Sequence, residues 1–302
     1  MSIRDLNQMN SVIKGIESFK RMDNALKNIC FIVALPRAGS TLLNQVMISR
    51  YDVGYASNII GKFWGNPVLG TIVHSSLADK EYISNFLSVY GNTKGPFEPC
   101  EFGWFWKHAL DVDPQLETIG REVDWIELNE TLQSMASVFS QPVIFDVPFA
   151  CSQIARIAEK LEVVKVIYLT RNLWSVCNSI LSARMTRHGD IHHYYGAKPK
   201  SWLEISQVKD PVLQVVKQVA ALKSEIEAEL KQIHPADVYT VDISEIREQP
   251  STVADGIAAF LGVESLPRNV VFPTFIDRDK VPLFDISYEK RFSETFGNIF
   301  GT

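Results

Sequence analysis

The chain has 302 residues, 46% of them hydrophobic and 22% charged, with a formal net charge of −5 at pH 7. That is enough apolar material for one large α/β domain or two small ones, and no stretch approaches the ~18 uninterrupted apolar residues of a membrane-spanning helix. The acidic balance argues against a nucleic-acid partner, which goes with a basic surface, so any anion must be held by local positive sites. The opening stretch, MSIRDLNQMNSVIKGIESF, lacks the apolar core of a secretory signal. The four cysteines, Cys30, Cys100, Cys151 and Cys177, share no CxxC spacing. A soluble, cytoplasmic protein with reduced thiols is expected, not a disulfide framework or a zinc site.

Between residues 3 and 27, Leu6, Met9, Ile13, Ile16, Phe19 and Met22 recur near the helical period. They predict an amphipathic helix lying on the domain or on the second subunit of a homodimer. Its polar face mixes signs, unlike the basic face of a membrane-surface helix. Next comes Cys30 to Tyr51, CFIVALPRAGSTLLNQVMISRY. Phe31, Ile32, Val33 and Leu35 read as a buried strand; Leu42, Leu43, Val46 and Met47 recur at helical spacing. The polar turn between them aims backbone N–H groups and a helix dipole at one point, which suits an anion. Gly39 lets the backbone approach closely, Ser40 and Thr41 add hydroxyl donors, and Arg37 adds a planar charged fork. The turn departs from the GxxxxGK[ST] loop of P-loop nucleotide hydrolases, because no Gly stands five residues before Gly39 and no Lys follows it.

Val53 to Ser57 is a plausible second strand, followed by the Gly/aromatic stretch GKFWGNPVLG and a helix. Residues 82–141 are too long for a simple parallel crossover and are expected to form a helical insertion that lines an acceptor pocket. In GPFEPCEFGWFWKHAL, Trp104, Phe105 and Trp106 stand beside Glu98, Glu101 and His108. Such a mixture fits a pocket with apolar walls and a few polar groups, or an ordinary aromatic mini-core. Val143–Val147 and Lys165–Thr170 read as further buried strands, each followed by a helix. The alternation predicts a parallel sheet covered by helices on both faces.

Arg171 closes the last of these strands, at the end where open α/β sheets bind ligands. Ser179 follows eight residues later, on the same side of its helix. An Arg fork and a hydroxyl can hold one phosphate. Arg184 to Lys200 is polar and aromatic and reads as a mobile loop at the site's mouth; His188 and His192 have metal-like spacing, but no third ligand is evident. Leu213 to Leu230 marks a long amphipathic helix. VYTVDI, residues 238–243, is the last strand. A helix from Pro250 stops at Gly262, and the tail carries Lys290 and Arg291.

PRAGSTLL, with Arg171 and Ser179 in VIYLTRNLWSVCNSILSAR, resembles the two donor-binding motifs of the sulfotransferases of bacterial type. These enzymes use 3′-phosphoadenosine 5′-phosphosulfate (PAPS) and release the 3′,5′-bisphosphate (PAP) without a metal. The resemblance covers most of residues 30 to 262. It implies one domain over residues 1–302 with a P-loop-like α/β fold. It implies that Arg37, Ala38, Gly39, Ser40, Thr41 and Leu42 hold the 5′-phosphosulfate, and that Arg171 and Ser179 hold the 3′-phosphate; in the tail, outside the resemblance, Arg291 is a further candidate for that phosphate, as basic tail residues are in some relatives. Two departures stand out. Ile243-Ser244 replaces the family's Tyr-Glu pair, and Ser57-Asn58 stands where some members carry a catalytic Glu. The general base is therefore sought in the insertion, at Glu101 first, then Glu98, with His108 as rival. The acceptor is expected to be a small molecule bearing a hydroxyl, amine or guanidinium. The acidic residues Glu98, Glu101, Asp111 and Asp113 suggest a cation, such as a saxitoxin-type alkaloid. A P-loop small-molecule kinase and a non-catalytic nucleotide-binding adaptor are the rival readings.

Overall fold

The computed structural model describes residues 10, 26–79, 81–111, 122–276 and 286–301, with the backbone alone at 149–150 and 286–289. The expected N-terminal helix and Asp113 fall outside the described residues.

Six apolar residues in a row, Ile29–Ala34, form β1, and all six are buried. A strand with no polar face is stable only where both faces are covered, and β1 accordingly lies in the middle of the sheet. The other strands are β2 (Gly54–Tyr55), β5 (Val143–Asp146), β6 (Val164–Thr170) and β7 (Val238–Asp242), beside a small separate hairpin, β3 (Ser88–Val89) and β4 (Asn92–Thr93). The main sheet is parallel, in the order β2-β5-β1-β6-β7. Ile29 is level with Val143 on one side and Val164 on the other. Helices α1 (Ser40–Arg50), α2 (Asn58–Lys62), α3 (Pro67–Leu77), α4 (Gly103–Ala109), α5 (Trp125–Phe139), α6 (Ile154–Lys160), α7 (Leu173–His188), α8 (Trp202–Ile205), α9 (Pro211–Leu230), α10 (Ile243–Glu248), α11 (Pro250–Leu261) and α12 (Ile286–Phe300) complete the described chain. This is the expected α/β architecture of a parallel sheet flanked by helices. No described helix is long and apolar enough to cross a membrane. All four cysteines are free thiols.

From β1 the chain crosses toward β2; from its neighbour β6 it crosses the other way, toward β7. Adjacent strands whose exits diverge leave a crevice at their carboxyl ends. The loops after β1 and β6 carry Arg37 and Arg171, so the topology alone brings the two predicted clusters to one place.

The aromatic run of the insertion divides. Trp106 is fully buried, edge-on to Phe31 at 5.7 Å and Phe145 at 5.2 Å between ring centroids, so it belongs to the core under the sheet. Trp104 is 44% exposed.

Gly39 fixes the turn between β1 and α1. Its φ of +113° is in the region that side chains avoid, and a Cβ there would lie 2.5 Å from Ile243 Cδ1. Gly39→Ala is expected to destabilise the fold by about 1–3 kcal/mol. Adding Ile243→Val, which removes the clashing methyl, should restore only part of that loss. Urea unfolding of the single and double variants measures the two components.

Candidate active site

The loop after β1 is built from local strain held by remote contacts. Arg37 itself has a left-handed φ of +71°, uncommon for a residue with a side chain. Two contacts hold it. Arg171 Nη1 donates to the Arg37 carbonyl at 2.6 Å, and Arg37 Nε donates to Ser179 Oγ at 3.2 Å. The two predicted clusters therefore interlock. Leu43 N–H is the first of α1 to reach back, to Gly39 O at 3.2 Å; the N–H groups before it stand at the helix start with no intrahelical acceptor.

A cavity of about 310 Å³ opens over this helix start, lined by Arg37, Gly39, Ser40, Thr41, Leu42 and Arg171 among others. Ala38 lies just beneath, buried, with its N–H tied to Leu35 O at 3.1 Å. Burial lowers the pKa of Arg37, and the charges of Arg171 and Arg187 push the same way. Three guanidinium groups in mutual repulsion around a helix N-terminus make a site whose electrostatics an anion would relieve. Below it, Asp242 accepts from Thr170 Oγ1 at 2.7 Å and from Ser244 Oγ at 2.6 Å, closing a capping box on α10. This is what stands at the Ile243-Ser244 position: a brace that seats Ile243 against Gly39.

No protein-family model and no curated protein sequence matches the chain. Solved structures do. A sulfotransferase from Mycobacterium tuberculosis superposes on 79% of this chain and 68% of its own, with a TM-score of 0.50 at 13% identity. The chain has a sulfotransferase-like fold. The sulfotransferase domain of the curacin biosynthetic pathway matches 80% of this chain and 75% of its own (TM-score 0.44, 17% identity). A sulfotransferase from Alicyclobacillus acidocaldarius matches 92% and 94% (TM-score 0.47, 15% identity).

Within this sulfotransferase-like fold two carboxylates enter the cavity. Glu101 was expected; Asp146 was not. Asp146 ends β5, next to β1, is fully buried and accepts from Ser40. Burial, and then the negative charge of Glu101, push its pKa up to about 7. Burial also raises Glu101, but Arg37 and Arg187 pull it back. The visible signal for Asp146 was a lone acid ending the otherwise apolar run VIFD.

Several expected residues lie elsewhere. Glu98 is fully buried away from the cavity and accepts four hydrogen bonds, from Gln45 Nε2 (2.8 Å), Tyr82 OH (2.7 Å), Ser84 Oγ (2.8 Å) and Asn85 N (2.7 Å). With every lone pair engaged it is a structural hub, not a base. His108 stacks on Trp64 at 4.4 Å, with Nδ1 2.8 Å from Trp104 O, and lines neither this cavity nor its neighbour. Arg291 pairs with Asp210, the N-cap residue of α9, and does not line the cavity. Asp111 lines neither cavity, so the acidic cluster proposed for a cationic acceptor reduces to Glu101. The loop expected to be mobile is tethered: Gln218 Nε2 donates to the carbonyls of Tyr195 and Ala197 (3.1 and 3.0 Å), and buried Arg184 donates to Ile191 O and Gln214 Oε1. His188 stacks on His193, not His192, at 3.7 Å. Among the described residues no group of three or more His, Cys, Asp or Glu is placed to hold a metal ion.

The β3–β4 hairpin forms one wall. Its two turn residues, Tyr90 and Gly91, have φ of +53° and +85°, as a tight two-residue hairpin requires. The Tyr90 ring lies between the guanidinium groups of Arg37 (5.0 Å) and Arg187 (5.1 Å). A Cβ on Gly91 would stand 2.8 Å from Glu101 Oε1. Beyond the hairpin is a second cavity of about 700 Å³, and Glu101 lines both.

Two outcomes check this division of labour. Glu98→Gln puts an amide donor among four donors, so it should lower stability by about 1–3 kcal/mol; Glu101→Gln should not. Asp146, unprotonated only above about pH 7 when folded but near 3.8 when unfolded, makes the native state bind more protons between those values. Stability therefore falls as pH rises through that window. Asp146→Asn should flatten the fall, measured as urea midpoints from pH 4 to 8.

Proposed function

We propose that this protein is a sulfotransferase that moves the sulfuryl group of PAPS to the hydroxyl of a small-molecule acceptor. The observation that carries the reading is one cavity at the start of α1 lined by both Arg37 and Arg171, with Arg171 bonded to the Arg37 carbonyl and Ser179 to the Arg37 side chain. The fold it shares with the tuberculosis sulfotransferase is in keeping with it. In this reading the first-turn N–H groups, Ser40, Thr41 and Arg37 hold the 5′-phosphosulfate, while Arg171 and Ser179 serve the 3′-phosphate. As the sulfur–oxygen bond to the leaving bisphosphate breaks, negative charge grows on the bridging oxygen. Arg37 and the loop donors stabilise it in place, without reorganisation. Glu101, at the junction of the two cavities, takes the proton of the acceptor hydroxyl as its oxygen bonds to sulfur. Asp146, its pKa raised to about 7, keeps Ser40 oriented and carries its full negative charge only above neutrality. We place the reaction in a reducing, cytoplasmic compartment, in keeping with the four free thiols.

One observation favours the kinase reading. A strand-end Asp bonded to a loop Ser is the pair that holds Mg²⁺ in P-loop nucleotide hydrolases. Against it stands the absent loop Lys.

Thermal unfolding with adenosine 3′,5′-bisphosphate and with ATP plus Mg²⁺ separates the two. The bisphosphate alone should raise the transition, and Arg171→Ala should weaken its binding about 10- to 100-fold, the usual loss for a charge-assisted bond. A transition that moves only with ATP plus Mg²⁺ refutes the sulfotransferase. With PAPS and an accepted alcohol, Glu101→Gln should cost at least ~100-fold in kcat. The low-pH limb of the wild-type rate profile should vanish with it.

A further inference from the structure

The second cavity has a polarity of its own. It lies across the hairpin from the donor cavity, and Glu101 opens onto both. Its walls between are apolar: Ile59, Pro96, Phe102 and Trp104. The two amides that line it are engaged. Asn58 Nδ2 donates to Thr93 Oγ1 (2.9 Å) and Gly95 O (2.8 Å), and Asn92 Nδ2 donates to Val89 O (3.4 Å). Apart from Glu101 the one charged residue in the lining is Lys62, at the end of α2. Lys62 has no ion-pair partner among the described residues. Lys107 Nζ sits 5.6 Å from the Trp104 ring centroid but does not itself line the cavity.

We propose that this cavity is the acceptor site and that it selects an alcohol or phenol carrying an anionic group at its far end. The hydroxyl meets Glu101, the apolar or aromatic body lies along Phe102 and Trp104, and a carboxylate or phosphate pairs with Lys62. A cationic acceptor would meet Lys62 unfavourably and find no carboxylate in the lining other than the one needed as base. This assignment rests on the transferase reading for the role of Glu101, but its charge preference is a property of the cavity and can be measured by binding alone.

The probes are matched sets that differ only in end charge: 4-hydroxyphenylacetate, 4-hydroxyphenylacetamide and tyramine, and 6-hydroxyhexanoate, 6-hydroxyhexanamide and 6-aminohexanol. Calorimetric titration is run on wild type and Lys62→Gln, with and without adenosine 3′,5′-bisphosphate. In at least one set the acid should bind wild type at least 10-fold tighter than the amide, with the amine weakest. Lys62→Gln should lose about 10- to 100-fold on the acid, the scale of one charge-assisted bond, and leave the amide and the bisphosphate unchanged. Equal affinity for acid and amide in both sets, or an acid preference that survives Lys62→Gln, overturns the assignment. The bisphosphate arm separates the two readings. Bisphosphate binding without acid preference refutes this site alone, whereas acid preference without bisphosphate binding refutes the sulfotransferase and leaves the anion-selecting cavity standing.

Discussion

One hydrogen bond ties the molecule's two functional segments together: the Arg171 guanidinium on the Arg37 carbonyl, 2.6 Å apart. Arg37 sits in a left-handed conformation that its side chain disfavours, and such strain persists only where surrounding structure over-determines it. The bond comes from the neighbouring strand, across a sequence distance of 134 residues. It therefore forms only when β1 and β6 are paired. The conformation that opens the helix start to an anion is a consequence of sheet assembly, not of the loop itself. Ile243 against Gly39 and the Asp242 cap add the support of a third strand, β7, to the same turn. The loop is thus set by three adjacent strand ends, which explains how so short a segment keeps so specific a shape.

An acidic protein that gathers cations has to keep its own carboxylates from quenching them. Arg37 is surrounded by neutral or aromatic partners, Ser179 and the Tyr90 ring, and by like charges. The nearest acids are managed by burial. Burial and the charge of Glu101 raise the Asp146 pKa to about 7, so at neutrality it adds less negative charge beneath the anion cradle than an exposed Asp would. Glu101 is pulled toward ionisation by the same arginines that would grip the donor. In the proposed reaction one set of charges thus serves two ends, attracting the anion and readying the base.

Much of the scaffold was legible because it is local. Continuous apolar runs marked β1, β5 and β6, and the change of period at Pro36 marked the turn. Arg171 and Ser179 were singled out on an eight-residue helical spacing that needs no tertiary information, and the structure bonds both to Arg37. What failed depended on remote partners. Glu98 and Glu101 stand three residues apart in the same aromatic stretch and look alike in sequence. Glu98 is consumed by Gln45, Tyr82, Ser84 and Asn85, donors from other segments, while Glu101 is left facing two cavities. Asp146 was hidden for the opposite reason: it closes a strand whose other residues are ordinary core, and only the strand order shows that this end adjoins the loop. Arg291 failed because a basic tail residue can reach many places, and Asp210 holds it elsewhere.

The hairpin at residues 88–93 explains why the acceptor side resists reading by motif. A direct transfer needs donor and acceptor within van der Waals contact of each other, yet the two cavities must be distinct enough to select different molecules. Two cavities kept apart along most of their length but meeting at one shared residue, Glu101, answer both demands in the proposed reading. The β3–β4 turn forms the divide, two residues wide, with Tyr90 lining the first cavity near two guanidinium groups and Asn92 lining the second. At its narrowest point there is no side chain at all: Gly91 leaves room only for the Glu101 carboxylate. Glu101, the one residue among those described that lines both cavities, therefore stands against the glycine of the turn. A larger residue at position 91 would crowd that carboxylate, so under the proposed function a glycine in a surface turn belongs to the chemistry.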